Sequence, residues 1–258
     1  MIDVILQLNN NLSNWHLLFS QVNYLIDECF NIGKGANVII SILHHFFEHH
    51  AFGETRIHLH ADKRSGQNKN RFMIYYLMWR VMTGLHKEIT LSFLLVGHTK
   101  FAPDWCFGLF KQLLKKTSVG SINDIAKVAE RSAKVNHAQL VGEYDGTIHV
   151  PMYNWSGFFE EFTIQTALKG ISQMHHFRFT AAHPGVVFVK HSCDDPVERK
   201  IKLLKTMTWE PTSENLPPWI IPPRFTLERQ WYLYQKIREF CPDNMKDIVC
   251  PQPSMPLT

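Results

Sequence analysis

The stretch from Thr55 to Arg71, TRIHLHADKRSGQNKNR, constrains the fold more than any other. Its first seven residues alternate. Ile57, Leu59 and Ala61 point one way, and Arg56, His58 and His60 point the other, which is the two-residue period of a strand with one buried face. Asp62 continues the polar face at the strand's end. A turn through Ser65 and Gly66 follows, then a run of amides and cations from Gln67 to Arg71, and then the solid apolar run FMIYYLMWRVM, which reads as a buried helix ended by Gly84. A second strand is predicted over Glu88–Val96, followed by Gly97-His98-Thr99 and a loop containing Pro103. Asp104 then opens a helix, DWCFGLFKQLLKK, with cations in its last turn. Strand, helix, strand, helix is the pattern of an α/β sheet. In open sheets of that kind ligands bind just past the carboxyl ends of the strands, which directs attention to Asp62 and its loop.

Elsewhere the chain reads less sharply. Ile2–Leu8 has strand character and is broken by Asn9-Asn10-Asn11. VNYLIDECF, from Val22 to Phe30, has helical spacing, and Val38–His50 is a strongly amphipathic helix with Ile39, Ile42, Leu43 and Phe46 on its apolar side. On that helix His44, His45, His49 and His50 read as surface and cap. Ser121, with Asp124 three residues on, caps SINDIAKVAERSA. A hairpin through Asp145-Gly146 is expected within His137–Val150, a helix over Trp155–Leu168, and two short strands about His183-Pro184-Gly185. EPTSENLPPWIIPPR reads as an extended linker, and Thr226 caps a last helix, LERQWYLYQKIREF.

An apolar fraction of 45%, with 18 Phe and 7 Trp, supplies ample core and excludes global disorder. The formal charge of +4 permits a nucleic-acid partner without demanding one. The five cysteines are scattered and odd in number, which predicts free thiols in a reducing compartment. Cys241 and Cys250 match no zinc-knuckle spacing and read as structural. There is no apolar run of membrane-spanning length and no basic leader before the first apolar residues, so the expected setting is soluble and intracellular.

Four groups could do chemistry. Asp62 and Asp104 follow successive strands. If those strands are neighbours, the carboxylates share one sheet edge and can hold Mg²⁺ or Mn²⁺, hard ions that prefer oxygen ligands and activate water against a phosphodiester. The bland alternative is a turn residue at Asp62 and a helix cap at Asp104. His98 suits a general acid or base, or a ligand, and equally a turn on the surface. His58 and His60 share a face with Asp62, which permits a zinc-dependent hydrolase, although no third ligand stands at a diagnostic spacing. The loop supplies Lys63, Arg64, Gln67, Asn68, Lys69 and Arg71, the residue types that contact phosphates and base edges, or else simply a solvated loop.

HADKRSGQNKNRFMIYYLMWRVMTGLH followed by GHTKFAPDWCFGLFK resembles a transposon-derived animal domain family of unassigned activity, whose members read H-A-D-N-C-x-G-Q-N-K-N and then G-H-T-K-F-x-P-D-x-x-F-G. VNYLIDE, GKGAN, HHFFEHH, NHAQLVG, HHFRF, PGVVFVK and QWYLYQKIREFCP extend the likeness over roughly residues 22 to 250. That family is similar to the RNase H-like integrases and transposases. The resemblance implies an α/β fold with a mixed sheet and flanking helices, an RNase H-like core lacking its first strands. With the composition, the expected division is an unmatched segment 1–20, the RNase H-like α/β domain 21–205, a proline-rich linker 206–225 and a C-terminal helix and tail 226–258. The resemblance makes Asp62 and Asp104 the second and third catalytic acids, with His98 in support, Mg²⁺ or Mn²⁺ as cofactor, DNA as partner and the nucleus as a fitting compartment. Two departures matter. Only Asp3 lies upstream as a possible first acid, and the family's Asn-Cys is Lys63-Arg64, whose charge competes with a metal beside Asp62. The expectation is a DNA-processing domain that is truncated and inactive as written. The contrasting expectation is a non-catalytic nucleic-acid or protein-binding module on the same scaffold.

Overall fold

The computed structural model describes residues 20–51, 53–61, 68–93, 102–192, 194–206 and 209–256. Seven strands and seven α-helices alternate through them. The centre is the predicted strand pair. β2 (Arg56–Ala61) and β3 (Glu88–Phe93) run parallel, with Ile57 opposite Ile89, Leu59 opposite Leu91 and Ala61 opposite Phe93. Parallel neighbours need a crossover, and α2 (Arg71–Met82) supplies it. Asn70 caps α2 by accepting a hydrogen bond from the Met73 amide at 3.0 Å. Gly84, at φ +78°, ends the helix region in a backbone conformation that side chains disfavour.

Beyond β3 the sheet continues antiparallel through β5 (His176–Thr180), β6 (Val186–Lys190) and β7 (Arg199–Lys202), giving the order β2-β3-β5-β6-β7. Leu59, Ile89, Phe177, Phe179 and Val187 are buried on one face. α2 packs there, with α1 (Ala36–His49) and α5 (Trp155–Phe162) packed on α2. Trp79 and Trp155, both fully buried, meet at 5.4 Å in this layer. The opposite face is polar: His58 and His60 on β2, Ser92 on β3, His176 and Arg178 on β5. β1 (Gln21–Leu25) and β4 (Asn136–Leu140) form a separate parallel pair. α4 (Ile122–Ser132) lies on that pair and α3 (Ala102–Leu114) on α4, around a small core of Phe110, Val128 and Ala129. This is a mixed α/β fold with a five-stranded mixed sheet and flanking helices, as expected. Among the described residues no helix is long and apolar enough to cross a membrane.

Several sequence expectations are corrected. Val22–Leu25 is strand, not helix. The β4 backbone and the Asn23 side chain, which donates to the His137 carbonyl at 3.2 Å, hold it extended, and tertiary pairing overrides local spacing. For the same reason the first half of the expected 137–150 hairpin pairs with β1. What remains of the hairpin is a tight turn bridged between Gly142 and Ile148. The helix expected over Trp155–Leu168 stops at Phe162, where Thr163 turns extended and Ile164 donates to the Leu203 carbonyl. β7, RKIK, was not anticipated. Its cations and lack of alternation are those of an edge strand. The proline-rich segment is extended but packed on the domain: Asn154 donates to the Pro218 carbonyl and Ile220 to the Met152 carbonyl at 2.7 Å. The strand expected over Ile2–Leu8 lies outside the described residues.

His44 and His45 are the largest correction. They lie inside the protein, each 7% exposed. His45 Nδ1 meets the Tyr24 hydroxyl at 3.0 Å. His44 Nδ1 stands 3.2 Å from the Tyr76 hydroxyl and 3.3 Å from Arg80, a guanidinium only 3% exposed. Arg80 also donates to His86 Nδ1 at 3.2 Å, to the Tyr76 hydroxyl at 3.0 Å and to Glu48 at 3.3 Å, and it stacks on Phe47 at 4.4 Å. A buried cation is tolerated only with such a full set of partners.

Candidate functional site at the carboxyl edge of the parallel pair

Because β2 and β3 are parallel and in register to their last residues, both chains leave the sheet at one edge. Three described features gather there. The first is a chain of polar side chains on the open face. His60 on β2, Ser92 on β3 and His176 on β5 are successive register partners. The Ser92 hydroxyl, 5% exposed, lies 2.8 Å from His58 Nε2 and 2.7 Å from His176 Nδ1, so it donates to one imidazole and accepts from the other. His58 and His60 stack at 4.3 Å. Burial, with the neighbouring imidazoles, pushes His58 down to about 4, and burial also lowers His60 and His176. All three are therefore neutral at pH 7.

The second feature is Lys69. It is 7% exposed, its ammonium donates to the Ser172 carbonyl at 2.7 Å, and it sits 5.2 Å from the centre of the Phe93 ring. Lys69 is thus held against the last residue of β3. Its charge is turned into the protein, and a phosphate would have to displace the Ser172 carbonyl to reach it. The third is the N-terminus of α2. Arg71, half-buried, stacks on Phe72 at 4.8 Å. Asn68 precedes it, also half-buried, in the turn that leads to the capping Asn70.

Asp104 stands in the first turn of α3 and is exposed, next to Trp105, which is 63% exposed. α3 packs mainly on α4. Asp62, Lys63, Arg64, Gln67 and His98 lie outside the described residues, so the structure joins Asp104 to the edge through the chain alone. Asp104 does offer an exposed carboxylate, the donor type that Mg²⁺ and Mn²⁺ take. Among the described residues no cluster of three or more His, Cys, Asp or Glu is arranged to hold a metal. His58, a ligand in the zinc reading, is engaged by Ser92 instead. Sequence reasoning missed Ser92 and His176. Ser92 looks like an ordinary strand residue until β5 is known to be the next strand, and no local signal reveals that.

The arrangement defines a mixed α/β domain with a neutral histidine–serine cluster and a helix N-terminus at the carboxyl edge of its parallel strands. The chain belongs to the family described as a domain of unknown function, DUF7869, which it matches over residues 18–195. Neither a search of curated proteins nor one of solved structures finds a match.

Proposed function

We propose that this domain is a transposon-derived, RNase H-like DNA-processing scaffold that, as written, binds DNA and does not cut it. In this reading Asp62 and Asp104 are what remains of an acidic pair that would hold Mg²⁺ or Mn²⁺, ions that would supply water activation and charge neutralisation at a phosphodiester in a complete site. His98 would support that pair, and Lys63, Arg64, Gln67, Asn68 and Arg71 contact the DNA backbone. One observation supports the reading above the others. β2 and β3 are parallel neighbours in register to Ala61 and Phe93, so the chain segments bearing Asp62 and leading to Asp104 leave the sheet at the same edge. The emphasis on binding comes from the cations Lys63 and Arg64 directly after Asp62, which oppose a metal and favour a phosphate.

A non-catalytic module on the same scaffold, facing nucleic acid or protein, is the second reading. It is favoured by α3 packing chiefly on α4, which ties Asp104 to the smaller core. Incubation of supercoiled plasmid with folded wild-type protein and Mn²⁺, beside Asp62→Ala and Asp104→Ala, tests the proposal. We expect retarded but un-nicked plasmid with all three proteins. Nicking by the wild type that both substitutions abolish would mean a working metal site. A plasmid that the wild type does not retard at low salt would remove DNA from the account.

A further inference from the structure

Four free cysteines lie among the described residues, and two of them meet. The Sγ atoms of Cys241 and Cys250 are 3.7 Å apart. The last long helix opens with α6 (Leu227–Tyr232), capped by the Thr226 hydroxyl, and ends in a tight turn over Arg238–Phe240. Cys241 follows. The chain then reverses through Pro242 and Asp243–Met245, forms the short α7 (Lys246–Val249) and returns at Cys250. Arg238 closes this loop from inside. It donates to the carbonyls of Lys246 and Cys250, both at 2.8 Å, and pairs with Asp247. Cys250 is 1% exposed and Cys241 is half-buried. The cysteine that solvent can reach therefore lies beside one that it cannot.

We propose that Cys241 and Cys250 are a redox modification site, which a small disulfide such as oxidised glutathione converts into an intrachain disulfide. The Cys241 thiolate attacks one sulfur of the small disulfide. That S–S bond breaks, one small thiolate leaves, and a mixed disulfide stands on Cys241. Cys250 attacks the Cys241 sulfur and passes its proton to the small thiolate that this attack expels. The protein S–S bond forms as the second small thiolate departs. Two protein thiols are oxidised and one small disulfide is reduced to two thiols. Burial pushes the Cys250 thiol up to about 11, so Cys250 is not the residue that opens the small disulfide, and its attack relies on the Cys241 sulfur standing beside it. The sulfurs must close to about 2.05 Å. The loop ends are already held together by Arg238, so little backbone order has to be created.

The bond has a structural consequence. Cys250, with Met245, Ile248 and Pro251, lines a cavity of about 820 Å³ that the Asp27–Phe30 turn and the start of α4 also line. Oxidation ties those lining residues to the end of the long helix by a covalent bond, where in the reduced protein Arg238 joins them to it by hydrogen bonds.

The test uses the full chain, reduced and then incubated with oxidised glutathione at mildly alkaline pH, followed by alkylation and peptide mapping under non-reducing conditions. The expected result is one linked pair, Cys241 to Cys250, with no glutathione retained. The oxidised protein melts at a higher temperature than the reduced one. Reductant reverses the shift, and Cys241→Ser does not show it. Glutathione held on Cys241 without closure would overturn the proposal. So would linkage of either residue to Cys29, Cys106 or Cys193, or identical melting of oxidised and reduced wild type. Should Cys241→Ser fail to fold, the map and the melting shift of the wild type decide alone.

Discussion

His86→Gln tests the buried polar network by its pH dependence. His86 accepts from Arg80 Nε at 3.2 Å and is 5% exposed. Burial first, and then the adjacent guanidinium, hold its imidazole down at about 4, and the same causes hold His44 at about 3. In the unfolded chain both titrate near the ordinary histidine value of about 6.5. Above that value both states are neutral and stability is complete. As pH falls below about 6.5, the unfolded chain takes up protons that the folded protein refuses, so stability falls until the folded pKa is reached. Each histidine contributes a loss of about 1.4 kcal/mol per pH unit, or about 2 kcal/mol at pH 5. The two imidazoles face one guanidinium, so their combined loss is roughly 2–4 kcal/mol rather than a simple sum. Carboxylates with lowered pKa, such as Asp124 and Glu198, contribute stability that is lost only at lower pH. The window from pH 7.5 to 5 therefore isolates the histidines. Glutamine keeps an acceptor oxygen for Arg80 but cannot titrate. Urea unfolding followed by tryptophan fluorescence at pH 7.5, 6 and 5 should show the wild type losing stability on acidification and His86→Gln losing about 2 kcal/mol less. An unchanged pH dependence in the variant, or a wild type equally stable at pH 5 and pH 7.5, would refute the reasoning.

Other substitutions separate stability from binding. Lys69→Met removes the donor to Ser172 and the cation over Phe93, and should destabilise by about 1–3 kcal/mol in urea melts while leaving DNA affinity at a given salt unchanged. Ser121→Ala removes the acceptor for the Asp124 amide and should cost about 1 kcal/mol, read as a lower urea midpoint. Gly142→Ala would drive a methyl into the Phe30 ring, an overpacking cost of about 1–3 kcal/mol, while Gly108→Ala, where a methyl meets open space, should not lower the melting temperature.

The elements legible in the sequence are those whose burial pattern is local. β2 alternates, α1 carries a continuous apolar face, and Ser121 and Thr226 are caps that satisfy backbone donors three residues on. β1 was not legible because its five residues become a strand by pairing with β4, over a hundred residues away. β7 was missed because an edge strand does not need to hide a face. At the candidate site the polar face of β2 was visible, since alternation alone puts His58 and His60 together. The partner Ser92 was not, because β5 joins β3 after α3, α4, β4 and α5. The burial of Lys69 was not legible for a related reason. A lysine among amides looks solvated until the Ser172 carbonyl and the Phe93 ring are found around it. His44 and His45 point the same way: histidine is neutral when buried and bonded, and a doublet at that spacing does not show which side of the helix faces the core.

In the proposed reading, side chains of the segment after β2 contact the phosphate backbone. The most direct measurement is the salt dependence of duplex DNA binding for the wild type and for the Lys63→Gln, Arg64→Gln double variant. Each phosphate contact adds about 0.9 to the slope of log affinity against log salt. The account predicts measurable binding at low salt and a slope that shrinks by about 1.8 in the double variant. Binding with an unchanged slope would place the DNA elsewhere on the domain, and the absence of binding by folded protein would contradict the claim outright.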